Sequence, residues 1–255
     1  MKKGTQLFLV VLAIMGYIGY QSNSTKKRSS APLQVHSEPE VKNTQAFELK
    51  WPGEVEESVV NDAYFTKNYY LVFDGSGSMD DVGCSNGQKK ITVAKEAMKA
   101  FIDQINPDDN VGLFAFGFNG ATERVPLGSN NKELLKNEVN KVRMGGRTPL
   151  GRSLNLAYDK LTEVAKAQLG YGEYHIVVLT DGIASDTSIL NKAVQKVITK
   201  SPIVIHTVGF CIGNDHTLNQ VGKTYYKAAN DPQSVASGLD EVLAESKSFT
   251  VSNFE

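Results

Sequence analysis

Three short segments of this chain carry side-chain oxygens at spacings that could hold a hard cation. The first is Asp74-Gly75-Ser76-Gly77-Ser78. In extended backbone alternate residues project to the same side, so Asp74, Ser76 and Ser78 aim at one point. Gly75 and Gly77 remove the side chains between them and let the backbone bend over a small object. The second segment is Gly146-Arg147-Thr148-Pro149-Leu150, and the third is Leu179-Thr180-Asp181-Gly182. Thr148 and Asp181, from neighbouring loops, would complete one side of an octahedron. Hydroxyl and carboxylate oxygens suit Mg²⁺, with Mn²⁺ or Ca²⁺ as alternatives, rather than zinc or copper.

Each segment also has a plain structural reading. Asp74 could cap a turn, and Ser76 and Ser78 could cap the helix that follows. Thr148 before Pro149 is a favourable helix start, with Thr as N-cap and Pro in the first helical position. Thr-Asp-Gly is ordinary turn chemistry. What weighs against these readings is the placement of all three segments, which follows from the elements around them.

Residues 69–73 (YYLVF) are apolar at consecutive positions, as in a strand buried on both faces. The same holds for 111–116 and 175–179, and strands are also expected at 203–208 and 224–228. Residues 124–127 make a short edge strand, because Pro126 does not suit a central one. Helical spacing of apolar residues marks 91–105, 132–142, 150–167, 188–200 and 232–245, with a short helix at 217–221. Strands alternating with helices imply right-handed crossovers and an α/β, doubly wound, mostly parallel sheet with helices on both faces. Ligands of such sheets bind beyond the carboxyl ends of the strands. Asp74 and Asp181 directly follow two of the strands, and Thr148 opens the helix at 150–167, so all three segments fall at that edge.

The three segments, in this order and spacing, resemble the metal-ion-dependent adhesion site of von Willebrand factor A-type (VWA) domains. The likeness extends to Val208-Gly209-Phe210 and Tyr225-Tyr226-Lys227-Ala228, and covers about residues 65–245. It implies a six-stranded, Rossmann-like sheet with 124–127 as the antiparallel edge. It implies Ser76, Ser78 and Thr148 as direct or near-direct ligands, with Asp74 and Asp181 acting partly through water. It further implies a protein partner that supplies an Asp or Glu to the metal, and a last helix that moves in some members. Rival functions are an intracellular scaffold working with an ATPase, as some relatives are, and a metal-dependent hydrolase. The expectation here is no enzyme. A phosphotransferase would need a carboxylate where Ser76 stands. No phosphate loop of the Gly-x-x-x-x-Gly-Lys type is present, and Asp80 stands where a dinucleotide site needs its third glycine. No Gly-x-Ser-x-Gly elbow occurs.

The 255 residues carry a formal net charge of −1, with Lys and Arg spread along the chain, so a nucleic-acid footprint is missing. Four scattered histidines form no metal-binding spacing, and two cysteines exclude a Cys-built zinc site. Residues 1–22 hold the apolar run LFLVVLAIMGYIGY. They read as a membrane anchor, or alternatively as a cleaved signal that leaves the domain secreted or periplasmic. Residues 23–60 are a polar, mostly disordered linker with a turn at Trp51-Pro52-Gly53. The VWA-like domain spans 61–250, and 251–255 form a tail. Cys84 follows the first metal segment and Cys211 follows the strand at 203–208, so both lie at one edge of the sheet. They are either two unrelated thiols or a disulfide. The shared edge favours the bond, which persists only in an oxidising compartment and so places the domain outside the cytoplasm.

Overall fold

A computed structural model describes residues 51–54 and 64–247. The described residues belong to one compact unit, Phe47–Glu255. The anchor expected at 1–22, the linker apart from 51–54, the domain boundaries and the tail at 251–255 lie outside the described residues. Among the described residues no helix is long and apolar enough to cross a membrane.

Six strands form one sheet in the order β3-β2-β1-β4-β5-β6. Their ranges are β1 Lys67–Asp74, β2 Asn110–Gly117, β3 Gly120–Gly128, β4 Glu173–Thr180, β5 Val204–Phe210 and β6 Tyr225–Ala229. Four pairings are parallel, and only β2–β3 is antiparallel. The helices are α1 Lys90–Gln104, α2 Lys132–Lys141, α3 Leu150–Ala167, α4 Thr187–Lys200 and α5 Pro232–Lys247. This is the doubly wound architecture that the alternating pattern implies.

The alternation of a strand sorts β1 between two cores. Tyr69, Leu71 and Phe73 pack with Met98, Phe101 and Ile102 of α1, Leu135 of α2 and Leu239 of α5. Tyr70 and Val72 pack with Leu154 and Leu161 of α3 and Val194 and Val197 of α4. Burial on both faces is why these strands read as unbroken apolar runs. On the edge, β3 extends to Gly120, further than the expected 124–127. Its ladder to β2 shifts register between the Val111–Gly128 and Leu113–Val125 pairs, and Pro126 sits in that gap, where no donor is missed.

One expectation is corrected, and two residues make contacts that the local sequence does not reveal. Residues 217–221 form turns, not a helix. Thr224 Oγ1 accepts from Gln220 N at 2.9 Å and donates to Leu218 O at 2.7 Å, so a side chain takes the backbone groups a helix would pair. Thr148 does not cap α3, which starts at Leu150. The free N–H groups of Gly151 and Arg152 donate instead to the Asp186 carboxylate, at 3.0 and 2.9 Å. Trp51, at the expected turn, packs against the domain. Its indole N–H donates to Thr162 Oγ1 at 3.0 Å and its ring meets Tyr174 edge-on, with centroids 4.9 Å apart.

β1 sits between β2 on one side and β4 on the other, and crossovers leave it in both directions. Beyond the carboxyl ends of β1 and β4 the chain opens a crevice. The Asp74 and Asp181 loops both begin there.

Candidate metal centre

The β1 loop is drawn tightly against its neighbours. Gly75 N donates to Phe116 O at 2.8 Å, and Gly145 N donates to Gly75 O at 2.9 Å. A Cβ on Gly75 would lie 2.7 Å from Phe116 O and would also strike Val142, so only glycine fits. Gly146, at φ +75°, turns the next loop inward and presents its carbonyl to Gly77 N at 3.4 Å. After Gly77 the chain makes a short 3-10 turn over Gly77–Asp80, which the residue pattern does not reveal.

Asp74 is fully buried. One of its carboxylate oxygens accepts from Ser76 N at 2.7 Å, and the other accepts from Thr180 Oγ1 at 2.6 Å. Burial pushes its carboxyl up to about 6, against the hydrogen bonds from Thr180 and Ser76 that pull it down. Ser76 Oγ and Ser78 Oγ lie 3.0 Å apart, and Ser78 Oγ donates to Asp181 Oδ1 at 2.7 Å. Ser78 Oγ and Thr148 Oγ1 both fall within 4 Å of where a side chain on Gly182 would begin. Ser76, Thr148 and Asp181 are buried while Ser78 is exposed, so the cluster has a floor and one side open to solvent. Asp74, Ser76, Ser78 and Asp181 are thus linked by hydrogen bonds beyond the ends of β1 and β4, with the Thr148 hydroxyl close by, beside Gly182.

Sequence reasoning missed the cation already there. Lys90, the first residue of α1, is 5% exposed and places Nζ 3.0 Å from Asp181 Oδ2 and 3.4 Å from Asp81. A signal existed: a lysine in the first turn of a helix opposes the macrodipole, so something else must hold it there. Thr180, quoted in the third segment but given no part, proves to orient Asp74. Asp186 and His216 support the same loops. His216 Nε2 stands 3.3 Å from Gly182 O, and burial pushes the pKa of its ring down.

The donor set fits a small hard cation. Adjacent ligands of an octahedral Mg²⁺ bound at about 2.1 Å are separated by about 3.0 Å, and the Ser76 and Ser78 hydroxyls have that separation. Among the described residues no three His, Cys, Asp or Glu side chains converge, so a cation here would rest on hydroxyls and two carboxylates. Opposite Asp74 and Asp181 stands the single ammonium of Lys90, which leaves one negative charge on this buried cluster. Asp81, whose side chain is 61% exposed, is screened by water.

On the same edge Cys84 and Cys211 form a disulfide, with Cα atoms 5.7 Å apart and a sequence separation of 127. Both sit at positive φ, 58° and 60°. The bond ties the loop after the first metal segment to the end of β5.

The family model described as von Willebrand factor type A domain matches residues 68–255. A UPF0353 protein of Mycobacterium sp. strain KMS is 26% identical over 194 residues, which is 72% of this chain and 55% of that protein. The chain spans a third to just over half of the length of the first such relatives. Among solved structures, a von Willebrand factor type A protein from Catenulispora acidiphila superposes with a TM-score of 0.57 at 23% identity, covering 71% of this chain and 43% of that one. The pilus adhesin SpaC from Lactobacillus rhamnosus GG gives 0.58 at 14% identity, covering 73% and 31%. At such identities the likeness is one of fold.

Proposed function

The chain belongs to the von Willebrand factor type A domain family, and we propose on that premise that it binds a protein partner through a divalent cation. Asp74, Ser76, Ser78, Thr148 and Asp181 hold the cation, Mg²⁺ first and Mn²⁺ or Ca²⁺ in its place. The partner supplies an Asp or Glu. The observation that carries this reading is the half-open cluster of Asp74, Ser76, Ser78 and Asp181, with the Ser76 and Ser78 hydroxyls at octahedral spacing and the Thr148 hydroxyl close by.

The charges support it. One negative charge remains on the cluster after Lys90 has met one of the two carboxylates. A divalent cation turns that into one positive charge, which a single carboxylate of the partner neutralises at a partly desolvated site. The cation supplies an electrophilic point for that carboxylate. Asp74 and Thr180 fix the floor, and Ser78 stands at the open side. Exposed apolar side chains surround the cluster: Val82, Phe118 and Ile183 lie on three of its loops. Such a rim suits protein contact rather than turnover of a small substrate. A pilus adhesin shares the fold, which fits adhesion or assembly at a cell surface.

The disulfide supports a location outside the cytoplasm, since such bonds persist in oxidising compartments. Residues 1–22 would tether the domain to the membrane as a single pass, or release it to the periplasm or medium if cleaved. Affinity capture from native membranes tests the reading, with Mg²⁺ against EDTA and wild type against Asp74→Ala. A partner should be retained by wild type with Mg²⁺ only, and neutralising its interfacial Asp and Glu residues should release it. Capture indifferent to both EDTA and Asp74→Ala would refute metal-mediated binding.

A further inference from the structure

Beside Thr148 lies a groove of about 430 Å³, lined by its chain neighbours Arg147 and Pro149. Its walls are Phe116, Phe118, Ala121 and Pro149, with Arg147 and Arg152 at its rim. Phe118 is 64% exposed, a large apolar surface left in water. The Arg143 guanidinium covers part of that ring, 4.9 Å from its centroid. The chain has five arginines, and three of them, Arg143, Arg147 and Arg152, stand here within ten residues of sequence.

These cations lack the partners that surface arginines usually find. All three are exposed, and among the described residues none has a carboxylate within ion-pair distance. Asp186 lines the groove, but both its oxygens accept the backbone N–H groups of Gly151 and Arg152. That also closes the amino end of α3, so an anion entering the groove meets guanidinium groups and not free helix N–H groups. Arginine presents a planar fork that matches a carboxylate through two parallel hydrogen bonds, and it is enriched where proteins recognise one another.

We infer that this groove is a second subsite of the binding face, and that it takes a second carboxylate from an extended acidic segment of a partner protein. The inference rests on the metal-site reading above. The first carboxylate neutralises the metal cluster and leaves the arginines unanswered. Arg147 adjoins Thr148 in the chain, so at about 3.3 Å per extended residue the second carboxylate lies roughly two to four residues from the first. Phe118 receives an apolar side chain of the same segment.

A peptide library displayed on phage, selected on the full-length chain, tests this. Selections run with Mg²⁺ and with EDTA, on wild type and on Arg147→Glu/Arg152→Glu. Wild type with Mg²⁺ should enrich peptides carrying two acidic residues within that spacing. The charge-reversed variant should instead enrich peptides pairing one acidic with one basic residue. If the reversed variant melts lower than wild type, Arg147→Gln/Arg152→Gln replaces it, and the wild-type peptides should bind it about tenfold more weakly. Mg²⁺-dependent peptides with a single acidic residue, selected equally by wild type and variant, would overturn the groove and leave the metal reading standing. Absence of any Mg²⁺-dependent enrichment would sink both.

Discussion

The two edges of the sheet both bury polar groups, but of different kinds. At the amino edge, His175 Nδ1 faces His206 Nε2 at 3.2 Å, and their rings stack on Tyr69 and Tyr225 with centroids 5.0 Å apart. Beside them Asn68 donates to Gln168 at 2.8 Å and accepts from Asn110 at 2.9 Å. These groups are amides and rings, and they face one another across the strands. At the carboxyl edge the buried groups are oxygens, two of them on carboxylates, with one ammonium opposite. Buried polarity alone therefore does not mark a site. Acceptors that converge with charge left over do, especially where loops rather than strands carry them.

The sharpest way to break this contrast is to remove its charges. Asp74→Ala or Asp181→Ala should reduce Mg²⁺ affinity by at least about a thousandfold, beyond detection by calorimetry. His206→Phe, at the opposite edge, should leave it unchanged. Equal loss in all three variants would mean that the two edges are not distinct in function.

The second difference is covalent, because the disulfide staples only the carboxyl edge. Cys84→Ser/Cys211→Ser frees a loop of 127 residues, and urea unfolding should show a loss on the order of 4 kcal/mol. An unchanged midpoint would show that the bond does not constrain the unfolded chain.

Acid should then expose the amino edge. Burial, with a lesser push from the charge of His175, lowers His206 to about 3. Its folded value lies below its unfolded one, so stability is whole above about pH 6.5 and falls as the pH drops from there toward 3. Between pH 6.5 and 4.5 the loss should be on the order of 2 kcal/mol, and His206→Phe should remove most of it. Parallel pH profiles for the two proteins, read by urea unfolding, would remove His206 as the cause.

Much of this division is legible in the residues, and where it is not the reasons are physical. Runs such as 69–73 and 175–179 identify themselves because both their faces are buried. Asp74 and Asp181 follow such runs directly, which fixes their edge, and the same logic brings Cys84 and Cys211 together. Thr148 misleads because a Thr-Pro start satisfies every local rule for a cap. Asp186, 35 residues from Gly151, takes that role from across the crevice. Residues 217–221 mislead because five residues are too few for periodicity to outweigh one threonine that bonds the backbone. Lys90 hides because lysines are normally solvated, and its burial depends on Asp181, 91 residues away.

Lys90 yields the smallest expected effect and refines the contrast most. Lys90→Met should raise Mg²⁺ affinity about tenfold, because the ammonium repels the incoming cation. The same change should lower the melting temperature in EDTA, because it leaves Asp181 buried without its counter-charge. Weaker Mg²⁺ binding in this variant would mean that Lys90 aids the cation by positioning Asp181.

The most direct test of the central claim is a crystal grown in Mn²⁺, with anomalous scattering used to place the ion. One strong peak should lie among Ser76 Oγ, Ser78 Oγ and Thr148 Oγ1, within bonding distance of the serine hydroxyls, and it should vanish in Asp181→Ala. A peak elsewhere, or none at saturating Mn²⁺, would contradict a cation centre at the carboxyl edge of this sheet.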